Sequence, residues 1–184
     1  MISAIMIFVG LVALALFMVT IYNKLVRCRN MVAEGWSGID VQLKRRSNLI
    51  PNLIETVKGY MGHETRLLTE ITQLRSQSKG TLAVAEKSQL ETALTRSLGN
   101  LVAVAESYPD LKANQNFLDL QDELSQIEND IQMARRYYNG TVRDLNIMIE
   151  SFPSNLVAGR FGFTKADFFE IETPQDRAVP EVKF

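Results

Sequence analysis

The chain has 184 residues, with 20 basic and 21 acidic side chains and a formal net charge of −1 at pH 7. Because these charges nearly cancel, no general affinity for nucleic acids or other polyanions is expected. One cysteine cannot form an internal disulfide, and one histidine is too few for most metal centres or His-based catalytic sets. We interpret that histidine, His63, as a polar residue at a helix end.

Residues 2–21 contain no charged side chain and predict one transmembrane helix. At about 1.5 Å per residue they reach roughly 30 Å, the thickness of a bilayer's hydrocarbon core. Tyr22 follows as an interfacial aromatic residue, and basic residues come directly after it. Residues 1–22 therefore form the predicted membrane segment, whose spanning residues include Ile2, Phe8, Gly10, Leu14, Phe17 and Ile21.

Two other uses of this stretch are disfavoured. A cleaved secretory signal has a basic N-terminal region, a shorter apolar core and a small-residue cleavage site, none of which is found here. A lipoprotein needs small residues before its cysteine, whereas Val26 and Arg27 precede Cys28. The basic residues beyond Tyr22 favour a short N-terminus outside the cell and the rest of the chain in the cytoplasm.

An apolar series of heptad type continues in phase from the membrane segment and predicts that one helix leaves the bilayer. Its members are Leu25, Cys28, Val32, Trp36, Ile39, Leu43, Ile50, Leu53 and Val57, with Arg46 at one position of the series. Pro51 lies within it, which leaves two alternatives: a kinked helix, which the unbroken phase favours, or a true break. Gly59 and Gly62 bracket the predicted helix end.

Three more helices are predicted, at about residues 64–78, 83–107 and 117–152, from apolar residues spaced by three and four. Residues 108–114 form a proline-containing turn, with Asn114 as the N-cap of the last helix. The first and last helices each contain one departure from the heptad, and antiparallel packing places these departures at the same height. The prediction is an all-α protein with an antiparallel, up-and-down, coiled-coil-like four-helix bundle at residues 23–153.

The tail, residues 154–184, is predicted to be irregular and is rich in phenylalanine. Its rings are Phe161, Phe163, Phe168, Phe169 and Phe184. They either form an aromatic patch against lipid or a neighbouring subunit, helped by Arg160 and Lys165, or cap the open end of the bundle core. The second alternative is favoured because the rings need burial.

Charged residues on the helices predict contacts inside the bundle. Arg46 falls on the apolar series and is expected to point inward, where a carboxylate such as Glu123 or Glu128 must pair with it. Arg135 is expected to meet Asp40 or anionic lipid. The alternative for all these charges is ordinary ion pairing within the bundle and on its surface. No phosphate loop, nucleophile elbow or metal-spaced cluster occurs, so we predict no catalysis, no cofactor and no small-molecule substrate.

Several stretches, in this order, resemble the signature of the LemA family. They are residues 41–46 (VQLKRR), 49–53 (LIPNL), 55–60 (ETVKGY), 108–114 (YPDLKAN), 135–139 (RRYYN), 152–155 (FPSN) and 180–184 (PEVKF). The resemblance implies a single-pass protein of the bacterial inner membrane whose soluble part is an antiparallel four-helix bundle. Gly35 departs from it, since relatives usually carry alanine there; a glycine weakens the helix slightly or allows a closer neighbour.

Two functions are consistent with these features. The first is a homo-oligomeric scaffold that organises or shapes a membrane patch. The second is an adaptor that binds another membrane protein, such as a protease in envelope stress. Candidate contacts with another subunit or partner are Gly35, Trp36, Gly38, Val41, Leu49, Ile54 and Leu68. The alternative for the apolar members is that the bundle core uses a wider stripe and buries them.

Overall fold

The computed structural model describes residues 1–61, 65–80 and 82–169, and the regular structure in these residues is entirely helical. The helices are α1 (Ile2–Lys58), α2 (Thr65–Ser78), α3 (Val84–Ala105), α4 (Pro109–Lys112), α5 (Gln115–Glu150) and α6 (Ser154–Phe161). The predicted all-α class is therefore confirmed. His63 and Phe184, on which two predictions rest, lie outside the described residues.

The first helix is the longest element. α1 spans 57 residues without interruption and contains Pro51 in its interior. Pro51 therefore does not break the helix, which rules out the second of the two predicted alternatives. The helix ends at Lys58, beside Gly59, as the glycine pair predicts.

The connection between α3 and α5 differs from the prediction. The proline-containing turn includes a short helix, α4, which has Pro109 in its first turn and buries Leu111. Proline suits a first helical turn because its fixed φ matches the helix and its missing N–H has no partner to lose. The predicted N-cap is confirmed, since the backbone N–H of Phe117 donates to Asn114 Oδ1 at 3.2 Å.

The start of the tail also differs from the prediction, because it forms the helix α6 instead of an irregular segment. Val157 and Ala158 are buried and hold one side of this helix in place. Gly162 ends it in the left-handed conformation (φ 70°, ψ 30°), and its N–H bonds to the carbonyl of Ala158. Glycine adopts this conformation without steric cost.

The chain divides into two compact units, and α1 and α5 contribute residues to both. Unit 1 consists of residues 1–42 and 131–167. Its core joins α1, α5 and α6 through Ile21, Leu25, Leu145, Val157 and Ala158. Leu25 of α1 shares this core with Leu145 of α5, and further along α1 the ring of Trp36 lies 5.6 Å from that of Tyr138. The two long helices therefore run antiparallel in unit 1.

Within the described residues, unit 2 consists of residues 43–61, 65–80, 82–130 and 168–169. Arg45 pairs with Asp130 and Tyr60 bonds to Asn114, so α1 and α5 are antiparallel in this unit too. α2 and α3 are also antiparallel, because the pairs Glu70–Ser97 and Ser78–Glu91 run in opposite directions along the two helices. The core of unit 2 contains Leu53, Val57, Ile71, Leu94, Leu98, Leu101, Leu111, Phe117, Ile127 and Phe169.

Candidate functional site

The most deeply buried charge in the described residues is the guanidinium of Arg46, which is 1% exposed. It lies on α1 between Leu43 and Ile50, at a spacing of three and four residues, so it shares their inward face. Both neighbours are buried as well. Arg46 therefore points inward, as its place in the apolar series predicts.

The guanidinium is held by side chains from α3 and α5. Its Nη1 donates to Glu128 Oε1 at 2.5 Å and to Thr95 Oγ1 at 2.6 Å. Its Nη2 donates to the Glu91 carboxylate, and Ser78 Oγ at the end of α2 donates to the other oxygen of that carboxylate. We call Arg46, Ser78, Glu91, Thr95 and Glu128 the Arg46 cluster.

The Arg46 cluster connects four helices of unit 2, since its members come from α1, α2, α3 and α5. One cation lies between two carboxylates, and Glu91 is buried with it. Burying such charges costs desolvation energy that the pairing repays only when the geometry is good, so these contacts specify which side chains face one another. Both hydroxyls of the cluster are hydrogen-bonded within it, since Ser78 Oγ donates to Glu91 and Thr95 Oγ1 accepts from Arg46.

Of the two predicted carboxylate partners, Glu128 pairs with Arg46, whereas Glu123 is exposed. The sequence does not predict the second partner, Glu91. An apolar series on α3 runs through its neighbour Leu90, which is only half-buried in the structure, while Glu91 is buried. A signal was present, because Glu91 precedes Leu94 by three residues and Leu98 by seven, the spacing of an inward-facing position.

Arg135 belongs to unit 1 and is also buried, as predicted for a charge inside the bundle. Asp40, one of its two suggested partners, is exposed on α1 in the same unit. Among the predicted membrane-spanning residues, Ile2, Phe8, Gly10, Leu14 and Phe17 are exposed. Ile21, by contrast, is buried in the core of unit 1.

The candidates for contacts with another subunit separate into buried and exposed groups. Leu49, Ile54 and Leu68 are buried within unit 2. They follow the alternative in which a wider apolar stripe of the helices forms the core and buries them. Gly35 is buried in unit 1, where an added Cβ would lie 3.1 Å from the Cα of Tyr138. Trp36 is half-buried against the same tyrosine. The glycine at position 35 thus allows a closer neighbour within the chain.

Gly38 and Val41 are the exposed candidates. A Cβ added at Gly38 would meet no atom within 4 Å. Val41 is 55% exposed and lies three residues further along α1, on the same face. Both belong to unit 1.

Aromatic rings of the tail pack on α1 directly beyond its apolar stretch. The Tyr22 ring lies 4.9 Å from that of Phe161 and 5.8 Å from that of Phe163. The guanidinium carbon of Arg29 lies 5.3 Å from the centroid of Phe163, a cation–π distance. Phe169 is buried in unit 2, as expected if the tail rings cap the core, while Phe161 and Phe168 are exposed.

The cysteine of the chain, Cys28, faces the core of unit 1 and is half-buried. Burial raises the pKa of its thiol above the ordinary value, and the negative charge of Asp144 raises it further. Burial likewise raises the pKa of the Tyr138 hydroxyl, which donates to the carbonyl of Asp167 at 2.8 Å. Both groups therefore stay neutral near pH 7 and serve packing.

A single helix in the described residues, α1, has a stretch long and apolar enough to cross a membrane, and almost none of that stretch is buried. With the helical units that follow, it defines a membrane-associated, all-α protein. The family model of the LemA family matches residues 35–184. The chain belongs to the LemA family.

Three relatives illustrate this membership. Protein LemA of Metamycoplasma hominis is 31% identical over 153 residues, which cover 80% of this chain and 68% of that protein. Magnetosome protein MamQ 2 of Paramagnetospirillum magneticum is 23% identical, over 86% of this chain and 68% of its own length. Magnetosome protein MamQ of Magnetospirillum gryphiswaldense is 21% identical, over 95% and 75%.

Proposed function

We propose that this chain is a structural scaffold of the bacterial inner membrane. Residues 2–21 anchor it, the exposed face of α1 around Gly38 binds a second copy, and the assembly organises the membrane patch in which it lies. Its N-terminus faces outward and its helical units lie in the cytoplasm, where the positive-inside rule favours Lys24, Arg27 and Arg29. Labelling of an introduced Met133→Cys thiol by an impermeant maleimide in intact cells would contradict this orientation.

The observation that carries the proposal is the contrast between two glycines on α1. Gly35 packs closely against Tyr138, so the chain itself accounts for it. Gly38 meets nothing, yet a glycine inside a helix costs about 1 kcal/mol relative to alanine. A glycine on an exposed helix face permits close approach of another helix, and Val41 supplies apolar surface beside it.

A role without catalysis is supported by the Arg46 cluster. Its Arg46 and Glu91 are the most deeply buried charged residues in the described part of the chain, and side chains of the same chain bind both terminal nitrogens of the arginine. Such a cluster holds helices in register and presents no reactive group to a substrate. The relatives named as magnetosome proteins support a link to membrane organisation.

The particle mass of the full chain tests self-association. In mild detergent, light scattering is expected to give a mass of two or more copies of the 20.8 kDa chain, after subtraction of the detergent. The variant Gly38→Leu is expected to reduce the mass to one copy, because its side chain blocks the close approach. Gly99→Leu is the matched control: it is also an exposed helical glycine with nothing within 4 Å, and it should leave the mass unchanged.

A monodisperse monomer at high protein concentration would contradict the scaffold. It would favour the alternative, an adaptor that binds another membrane protein such as a membrane protease.

A further inference from the structure

Helix α6 lies beside the point where the apolar stretch of α1 ends. Its Val157 and Ala158 are buried in one cluster with Ile21 and Leu25. Ile21 is the last residue of the predicted membrane-spanning stretch, residues 2–21. When α1 spans the bilayer, α6 is therefore held at the membrane–water boundary.

The outward side of this segment is apolar. Phe152 is 80% exposed, Leu156 on α6 is 64% exposed and Phe161 at its end is 56% exposed. The Phe161 ring also contacts the ring of Tyr22, the residue at the predicted interface. Burial of Val157 and Ala158 accounts for the inward side of α6, whereas these three larger side chains keep more than half of their surface exposed.

The charge around α6 is positive. Residues 22–29 and 150–167 together contain five basic and two acidic side chains. Of these, Glu150 pairs with Lys165. Arg160 is exposed on α6 itself, between Leu156 and Phe161. Large apolar side chains beside basic ones are typical of segments that bind the surface of an anionic membrane.

We propose that α6, with the preceding Phe152, is an interfacial membrane anchor. Its exposed apolar side chains enter the boundary between headgroups and acyl chains of the bilayer that α1 crosses, and its basic residues contact anionic headgroups. The anchor gives the chain a second attachment at the bilayer surface. It acts within one copy and does not depend on self-association.

The depth of a spin label at position 156 tests this proposal. The variant Leu156→Cys is made in the full chain with Cys28→Ser, labelled with a nitroxide and reconstituted in vesicles of phosphatidylcholine and phosphatidylglycerol. Relaxation by oxygen, which concentrates in lipid, is compared with relaxation by a water-soluble nickel chelate. Two controls fix the scale: Leu14→Cys in the apolar stretch, and Met133→Cys, which is exposed on α5 about 18 Å along the helix from Leu145.

The expected ratio of oxygen to nickel accessibility at position 156 lies between those of the two controls and several-fold above that of Met133→Cys. A ratio equal to that of Met133→Cys would place α6 in water and overturn the proposal. Shielding from both reagents would also overturn it, because a protein surface, such as a second copy, would then cover Leu156. If the ratio at position 14 were typical of water, α1 would not span the bilayer, and the interfacial anchor would be contradicted as well.

Discussion

At the scale of single residues, Arg46 shows how a sequence pattern and its exception are connected. A charged residue in an apolar series means either that the series is assigned to the wrong helix face or that the charge is buried. In the structure Arg46 is buried. Its inward position follows from the heptad spacing, which left Glu123 and Glu128 open as partners, and Glu128 is the one that pairs with it. The second partner, Glu91, does not follow in the same way, because an apolar series through the neighbouring Leu90 turns the expected inward face of α3 by about 100° away from Glu91.

Removal of Arg46 is expected to destabilise the chain strongly. Arg46→Leu leaves the buried Glu91 carboxylate without its cation, and the free energy of unfolding should fall by about 3–5 kcal/mol. Denaturant unfolding of the detergent-solubilised full chain, followed by circular dichroism, measures this change.

Two further variants show whether the unpaired charge is the cause. Arg46→Leu combined with Glu91→Leu should recover most of the lost stability, since an apolar pair can replace a buried ion pair. Arg45→Ala breaks the more exposed pair with Asp130 and should cost less than about 1 kcal/mol. Equal losses for Arg45→Ala and Arg46→Leu would contradict the special role of the buried arginine.

At the scale of elements, the long helices followed from the sequence and the short ones did not. α1 and α5 carry many turns of apolar residues at one spacing, so their existence is determined many times over. α4 and α6 have four and eight residues, too few for a spacing to repeat. They form because Leu111, or Val157 with Ala158, has a core to enter, and that core is created only by the fold.

The approach of α1 to α5 in unit 1 depends on Gly35. A Cβ added at Gly35 would lie 3.1 Å from the Cα of Tyr138. The larger side chain of Gly35→Leu must therefore push the two helices apart. We expect the free energy of unfolding to fall by about 1–3 kcal/mol, as in other overpacked cores. Denaturant unfolding measures it, with Gly99→Leu as the control that should cost nothing. Unchanged stability of Gly35→Leu would show that the contact is not tight.

At the scale of the whole molecule, membership of the LemA family and the membrane-associated helical fold agree with what the sequence motifs imply. The likeness to the relatives does not by itself supply a mechanism, because a fold can host several functions. The proposed scaffold and the alternative adaptor differ in what would bind the exposed α1 face around Gly38 and Val41: a second copy of this chain or another membrane protein.

Cross-linking at Val41 in native membranes tests self-association most directly. The variant Val41→Cys with Cys28→Ser, produced at its natural level and oxidised in isolated membranes, is expected to form a disulfide-linked dimer of the full chain. Adding Gly38→Leu should abolish the dimer, and Gly99→Cys in the same background should not form one. If Val41→Cys stays monomeric, or cross-links instead to a different protein, the scaffold is contradicted.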